Sequence, residues 1–149
     1  MATMTTHNPS TTTRTVAGIG LATGLIAAAG TAFGAHDWTE IIVVWGVIAV
    51  ATFLVFGLLV PRALRKESAG GTALGLSVPA LLLLVPAFWS GLPLVLGVAG
   101  LVVGSAGRGA PSGSGKCIAA VVLGSLATVG YFAVYISDGM SGGAGFLFS

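Results

Sequence analysis

Three groups of residues in this chain of 149 are of types that could carry chemistry, and the first is a set of possible metal ligands. His36 and Asp37 lie four and three residues before Glu40, so the three side chains would share one face of a helix. Two carboxylates and an imidazole could bind a divalent cation. A single histidine without a second ligand cluster instead favours a hydrated acidic loop that leads into a helix. We predict no metal site, and these three residues are the only candidates for one.

The second group is a glycine-rich segment, 110–117, whose sequence APSGSGKC is similar to a phosphate-binding loop. That motif requires glycine at the position of Ala110, and serine or threonine at the position of Cys117 to hold magnesium. It also requires a preceding β-strand, whereas an apolar, helix-like run precedes this segment. We interpret the segment as a flexible loop with a basic end and predict no bound nucleotide.

The third group is Cys117, the single cysteine of the chain, with its neighbour Lys116. One cysteine excludes an internal disulfide and a multi-cysteine metal site. A neighbouring cation favours the reactive thiolate, but the sequence offers no base that would serve a cysteine nucleophile. We therefore interpret Cys117 as a small apolar packing residue, and we predict no catalytic residue, no cofactor and no enzymatic activity.

The composition places these groups in a membrane protein. Charged residues make up 7% of the chain and hydrophobic residues 55%, whereas soluble domains carry roughly 25% charged residues. Six lysines and arginines with four acidic residues are too few to cover the surface of a soluble domain. The cations stand singly or as a trio between apolar runs, which indicates membrane topology and affinity for anionic lipid headgroups rather than nucleic-acid binding.

The uncharged run 41–60 organises the rest of the chain. Its length of about 20 residues is enough to cross a hydrocarbon core of roughly 30 Å as a helix. Pro61 follows it, and after Pro61 come three cations, Arg62, Arg65 and Lys66. An uncharged run with a basic end is typical of a membrane helix, and it also orients that helix.

The other apolar runs complete a predicted all-α integral membrane bundle of five transmembrane helices. The uncharged stretch 72–107 is too long for one span, and Gly91 with Pro93 divides it at a turn. The predicted spans are about 15–35, 41–60, 72–88, 92–106 and 117–137.

Three of these spans have an alternative interpretation. Pro79 and Pro86 should kink the third span, and a re-entrant hairpin could replace the third and fourth spans over 72–106. The first span follows one basic residue and has small residues at 32–35, so it also resembles a secretory signal peptide that is cleaved.

The spans together form a single predicted transmembrane domain, 15–138. Residues 1–14 are threonine-rich and without periodicity, which predicts a disordered tail. Residues 139–149 form a glycine-rich tail that is too short to span again.

The charged residues orient the five-span bundle. With five crossings, one side carries the six cations: Arg14, Arg62, Arg65, Lys66, Arg108 and Lys116. The opposite side carries Asp37, Glu40 and Asp138. Because lysine and arginine remain cytoplasmic, the amino terminus is predicted to be inside and the carboxyl terminus outside.

Small residues recur at four-residue spacing within the spans, which lets neighbouring helices approach closely. The residues predicted to pack helices in this way are Gly20, Gly24, Ala28, Gly100, Gly104, Ala120 and Gly124.

The spans carry no charged side chain in their interiors, whereas proton- and ion-coupled transporters normally do. The sequence therefore predicts a structural, accessory or interaction subunit in contact with membrane lipids, as a homo-oligomer or with another membrane protein. The alternative is a passive channel or small-solute transporter that an oligomer forms, because hydroxyls and backbone carbonyls can line a pore.

The last two spans resemble a known kind of sequence. Residues 94–97 (LVLG), 100–104 (GLVVG) and 118–124 (IAAVVLG) are similar to a Gly/Ala/Val-rich two-helix domain of unknown function. It occurs in small multi-pass membrane proteins of bacteria, and its Ala/Gly/Val-rich composition is similar to that of actinobacterial sequences. The resemblance covers 93–137; it implies a location in a bacterial plasma membrane and no particular activity.

Overall fold

The structure is a computed structural model that describes residues 9–34, 37–65, 69–108 and 113–140. These residues are helices and connecting turns, without a strand, which confirms the all-α prediction. The helices are α1 (Pro9–Gly34), α2 (Trp38–Thr52), a π-helical segment (Phe53–Leu59), α3 (Val60–Leu64), α4 (Ala69–Leu82), a 3₁₀ turn (Phe88–Ser90), α5 (Leu92–Gly107) and α6 (Ser114–Met140).

Three of the described helices are long and apolar enough to cross a membrane: Thr12–Ala32, Trp38–Leu64 and Ser114–Asp138. The second of them is a continuous helix because α2, the π-helical segment and α3 follow one another without a break. The apolar helices α4 and α5 are shorter, with 14 and 16 residues. The lengths and the apolar composition of these three helices are those of a helical membrane protein.

Helix α4 ends earlier than the predicted third span. The prediction kinked one helix at Pro79 and Pro86, but the α-helix continues through Pro79 and ends at Leu82. Pro86 has no N–H to donate to the Leu82 carbonyl four residues before it, so the helical ladder breaks there. Hydrogen-bonded turns then lead to the 3₁₀ turn, for example from the Ala87 N–H to the Leu83 carbonyl at 3.0 Å.

Gly91 makes the turn between α4 and α5. Its φ of +68° is left-handed, which glycine adopts without steric strain. A Cβ at this position would also lie 2.9 Å from the Cβ of Ala27 in α1 and 3.2 Å from the Cδ1 of Ile48 in α2. The turn is therefore tight in itself and held between the first two helices.

Helices α4, α5 and α6 form the most closely packed part of the bundle. Gly70 of α4 lies beside the start of α6, and Leu84, two residues after the end of α4, lies beside Gly130 of α6. Helices α4 and α6 therefore run in the same direction. Helix α5 runs the opposite way, from Gly97 beside Gly124 to Gly107 beside Cys117. Each of these three helices therefore packs against the other two.

Helix α1 packs antiparallel to the continuous helix that follows it. Gly20 contacts Phe56 and Gly24 contacts Thr52. Farther along, the indole N–H of Trp45 donates a 3.0 Å hydrogen bond to the backbone carbonyl of Ala28. These contacts bring the start of α1 to the end of α3.

The helix ends extend beyond several predicted limits. Residues 9–14 were predicted to belong to a disordered tail, but they are helical from Pro9. Proline is favoured in the first turn of a helix, because its fixed φ suits that turn and its missing N–H needs no partner there. At the other end, α6 continues two residues past Asp138 to Met140.

Candidate functional site

The antiparallel arrangement places the described cations at one end of the bundle. Arg14 lies near the start of α1, next to the end of α3, where Arg62 is in the helix and Arg65 directly follows it. Arg108 and Lys116 flank the connection from α5 to α6. The end of α5 and the start of α6 both contact the start of α4. All five side chains are exposed. Lys66, the sixth predicted topology residue, lies outside the described residues.

The opposite end of the bundle is acidic. Asp37 and Glu40 stand at the start of α2, and Asp138 stands in the last turn of α6. All described charged residues thus lie at one end or the other, sorted by sign. The five cations and three acids are separated by an apolar interior about the length of one membrane span.

A cavity of about 160 Å³ lies at the acidic end, where α1, α2, the 3₁₀ turn and α6 meet. Two carboxylates, those of Glu40 and Asp138, stand in its wall. Hydroxyl side chains line it at Thr31 and Tyr135, and aromatic rings line it at Phe88, Trp89 and Tyr135. Ile41 and Val44 of α2 supply aliphatic wall. The cavity combines negative charge with aromatic surface.

A buried hydroxyl lies one helical turn deeper than Tyr135. The ring of Tyr131 is stacked on that of Tyr135, with centroids 5.8 Å apart, and Tyr131 is 2% exposed. Gly30 of α1 leaves room for both rings: a Cβ there would lie 3.4 Å from the Tyr131 hydroxyl. This hydroxyl has no hydrogen-bond partner among the described residues.

The predicted metal candidates do not come together as a ligand set in the described part of the chain. Asp37 and Glu40 are exposed, and His36 lies outside the described residues. No group of three or more histidine, cysteine or acidic side chains is close enough to hold a metal there. The carboxylate that joins Glu40 in the cavity wall is instead that of Asp138.

The sequence alone did not pair these two carboxylates, which are 98 positions apart in the chain. It did place both at the same side of the bundle, and that was the available signal. Which of the acidic residues at that side share a cavity depends on helix rotation, which charge placement does not fix.

The predicted packing residues occupy helix contacts. Gly20 and Gly24 lie against the second helix, and the carbonyl of Ala28 accepts the Trp45 hydrogen bond. Gly104 and Gly124 lie where α5 meets α6. At Gly104 a Cβ would come 3.0 Å from the Cys117 carbonyl, and at Gly124 it would come 2.7 Å from the Gly97 carbonyl.

Gly100 and Ala120 meet through a residue that the sequence analysis did not single out. The Ser77 hydroxyl of α4 donates a 2.8 Å hydrogen bond to the Ala120 carbonyl of α6. That hydroxyl occupies the space where a Cβ on Gly100 would stand. Gly97 and Gly107 continue the small face of α5, and their spacing of three and seven residues from Gly100 was the signal that could have revealed them.

Cys117 lies in the first turns of α6 and is buried, 1% exposed. A Cβ on Gly107 would lie 2.6 Å from its sulfur, so the thiol fills the space that this glycine leaves. In the phosphate-loop-like segment, 110–112 lie outside the described residues, and α6 already begins at Ser114. The element before the segment is helix α5, where the nucleotide motif requires a strand.

No protein-family model matches the chain, and neither a curated protein nor a solved structure is significantly similar to it. Function must therefore be argued from the residues of this chain.

Proposed function

We propose that this protein is a non-catalytic structural or interaction subunit of a bacterial plasma membrane, with five membrane spans. The observation that carries the proposal is the division of the described bundle into an interior without charged side chains and two charged ends. The described charged residues all stand at those ends, and glycines bring the helices into contact at the level of the backbone. Such a bundle holds its shape in lipid and leaves its outer faces for other molecules.

The length of α6 supports five spans rather than a re-entrant hairpin. Lys116 to Asp138 of α6 rises about 33 Å at 1.5 Å per residue, which matches a hydrocarbon core. Gly70, in the first turn of α4, lies beside the Lys116 end of α6, whereas Phe88, after α4, lines the cavity at the Asp138 end. The segment 70–88 therefore extends from one end of α6 toward the other, as expected if 72–106 forms two full spans.

The separation of charges supports an orientation with the amino terminus inside and the carboxyl terminus outside. The basic end contains five described cations, and translocating such residues is unfavourable. The acidic end with its aromatic residues would then face outward, where tryptophan and tyrosine suit the boundary between lipid and water.

The outer faces of the long helices support an interaction role. In the spanning part of α2 and its continuation, only 22% of the residues are buried within the bundle. The exposed apolar side chains on this helix include Ile42, Val43, Val47, Val50, Phe53 and Leu54. Lipid covers such a face, or a second copy or another membrane protein does.

Native mass spectrometry in mild detergent tests the proposal by counting the copies of every component. We expect a defined homo-oligomer or a stable complex with another membrane protein. Gly46→Leu is a suitable variant, because nothing in the bundle lies within 4 Å of a Cβ there and the exposed face of α2 changes without disturbing the fold. A lone monomer would contradict the proposal, and selective flux in liposomes would favour the passive channel.

A further inference from the structure

We infer that the cavity at the acidic end binds an alkylammonium group, either that of a free amine or that of a lipid headgroup. This inference goes beyond the structural role proposed above and does not depend on it. The inference rests on one cavity whose wall contains both Glu40 and Asp138 and the aromatic residues Phe88, Trp89 and Tyr135.

The charge of the cavity selects a cation. Glu40 and Asp138 place two carboxylates in its wall, and the five described lysines and arginines all stand at the other end of the bundle. No lysine or arginine of the described chain can therefore neutralise the pair. A cation bound in the cavity would gain electrostatic attraction from both acidic residues of the wall.

The aromatic rings select an organic cation over a metal ion. Two carboxylates are fewer protein ligands than Ca²⁺ takes in its usual sites of six to eight oxygens. The aromatic residues Phe88, Trp89 and Tyr135 in the wall instead suit an ammonium with attached carbon, through cation–π attraction and apolar contact. Ile41 and Val44 extend the apolar wall for a short alkyl chain.

The size of the cavity fits such a group. Its volume of about 160 Å³ is close to that of an engineered cavity of about 150 Å³ that binds benzene in another protein. A butylammonium ion is similar in bulk to that ligand.

The experiment uses the full chain in an uncharged detergent and butylammonium chloride as the probe, followed by saturation-transfer NMR of the probe. We expect saturable binding that exceeds the background of 1-butanol, which has the same chain length without the charge. Glu40→Gln with Asp138→Asn should weaken binding at least tenfold. Asp37→Asn removes a carboxylate from the same end but outside the cavity wall, so it should leave binding unchanged.

A second variant keeps the charges and tests the aromatic wall. Phe88→Leu should weaken butylammonium binding about two- to fivefold, as loss of one cation–π contact predicts. Circular dichroism establishes that each variant keeps its helix content. Equal binding of butanol, or equal binding by wild type and the Glu40→Gln/Asp138→Asn variant, would overturn the inference.

Competition then distinguishes the two sources of the ammonium. Short-chain phosphatidylethanolamine that displaces butylammonium, where short-chain phosphatidylglycerol does not, would assign the site to a lipid headgroup. Butylammonium binding that neither lipid displaces would assign it to a free amine. Displacement by both lipids alike would show that the acyl chains compete rather than the ammonium, and would overturn the inference.

Discussion

The hydroxyl of Ser77 and the backbone carbonyl of Ala120 are joined by a 2.8 Å hydrogen bond that connects α4 to α6 across the edge of α5. Gly100 of α5 makes this bond possible, because any side chain there would occupy the position of the Ser77 hydroxyl. These three residues fix the positions of the three helices relative to one another at one level of the bundle. The first prediction follows from this arrangement.

Gly100→Ala should destabilise the bundle by about 1–3 kcal/mol, the range for overpacking a core. The added methyl group meets the Ser77 hydroxyl and also lies 3.2 Å from the Ser77 Cβ. Reversible unfolding in mixed micelles, followed by circular dichroism, measures the change. Gly75→Ala is the matched control: it is in α4, nothing lies within 4 Å of its Cβ, and we expect equal or greater stability.

The same contact can be tested by a double-mutant cycle. Ser77→Ala removes the hydroxyl that the new methyl group meets, so the two changes together should destabilise by less than the sum of the single changes. Additive effects would contradict the direct contact.

Trp45→Phe should destabilise the pairing of α1 with α2. The change removes the 3.0 Å hydrogen bond from the indole N–H to the Ala28 carbonyl, and such bonds between membrane helices contribute about 0.6–2 kcal/mol. The same unfolding assay measures it. Trp38→Phe is the control, because the side chain of Trp38 is 78% exposed, and we expect no change there.

Tyr131→Phe should leave stability unchanged or raise it by about 1 kcal/mol. The substitution keeps the buried ring and removes a hydroxyl that has no partner among the described residues, and such a group carries a desolvation cost. Tyr131→Leu, which removes the ring, should destabilise the bundle clearly. A loss on Tyr131→Phe as large as that on Tyr131→Leu would show that the hydroxyl is engaged.

Membrane topology can be tested with single cysteines in intact cells. In a Cys117→Ala background, Arg62→Cys and Arg108→Cys should resist a membrane-impermeant maleimide, whereas Asp37→Cys and Asp138→Cys should react. Wild-type Cys117 should not react, since it is buried. Reaction of Arg62→Cys and Arg108→Cys from opposite faces would contradict five spans.

Reporter fusions check the orientation independently. A reporter that works only in the cytoplasm should be active when fused after Glu67 and silent when fused after Ser149. The reverse pattern would contradict an internal amino terminus.

The helical class, and the grouping of the described cations and acidic residues at opposite ends of the bundle, could be predicted from the sequence, because they depend on quantities that act locally. An uncharged run of span length identifies a membrane helix wherever its neighbours are. Gly91 and Pro93 marked the turn between α4 and α5 for the same reason, since glycine and proline act on their own backbone.

The end of α4 and the cavity could not be predicted in the same way. Pro86 was expected to kink a helix, but its missing N–H ends the helix instead, and which outcome occurs depends on what the freed Leu82 carbonyl packs against. The meeting of Glu40 with Asp138 depends on how α2 and α6 rotate about their axes, and those rotations arise from packing across the whole bundle.

The π-helical segment in the second span gives that helix an unusual tolerance. The Val60 N–H bonds to the Val55 carbonyl, five residues back, so this stretch accommodates one residue more than an α-helix of equal length. Gly57 is exposed, and its deletion would let the backbone hydrogen bonds re-form as those of a regular α-helix. The buried faces of the helix on either side of the deletion would then keep their orientation. This span can therefore lose one residue within its π-helical segment and keep its fold. A single-residue deletion in α2, before the π-helical segment, would instead rotate the faces on its two sides relative to each other and expose Val60 and Ala63, which are buried in the core.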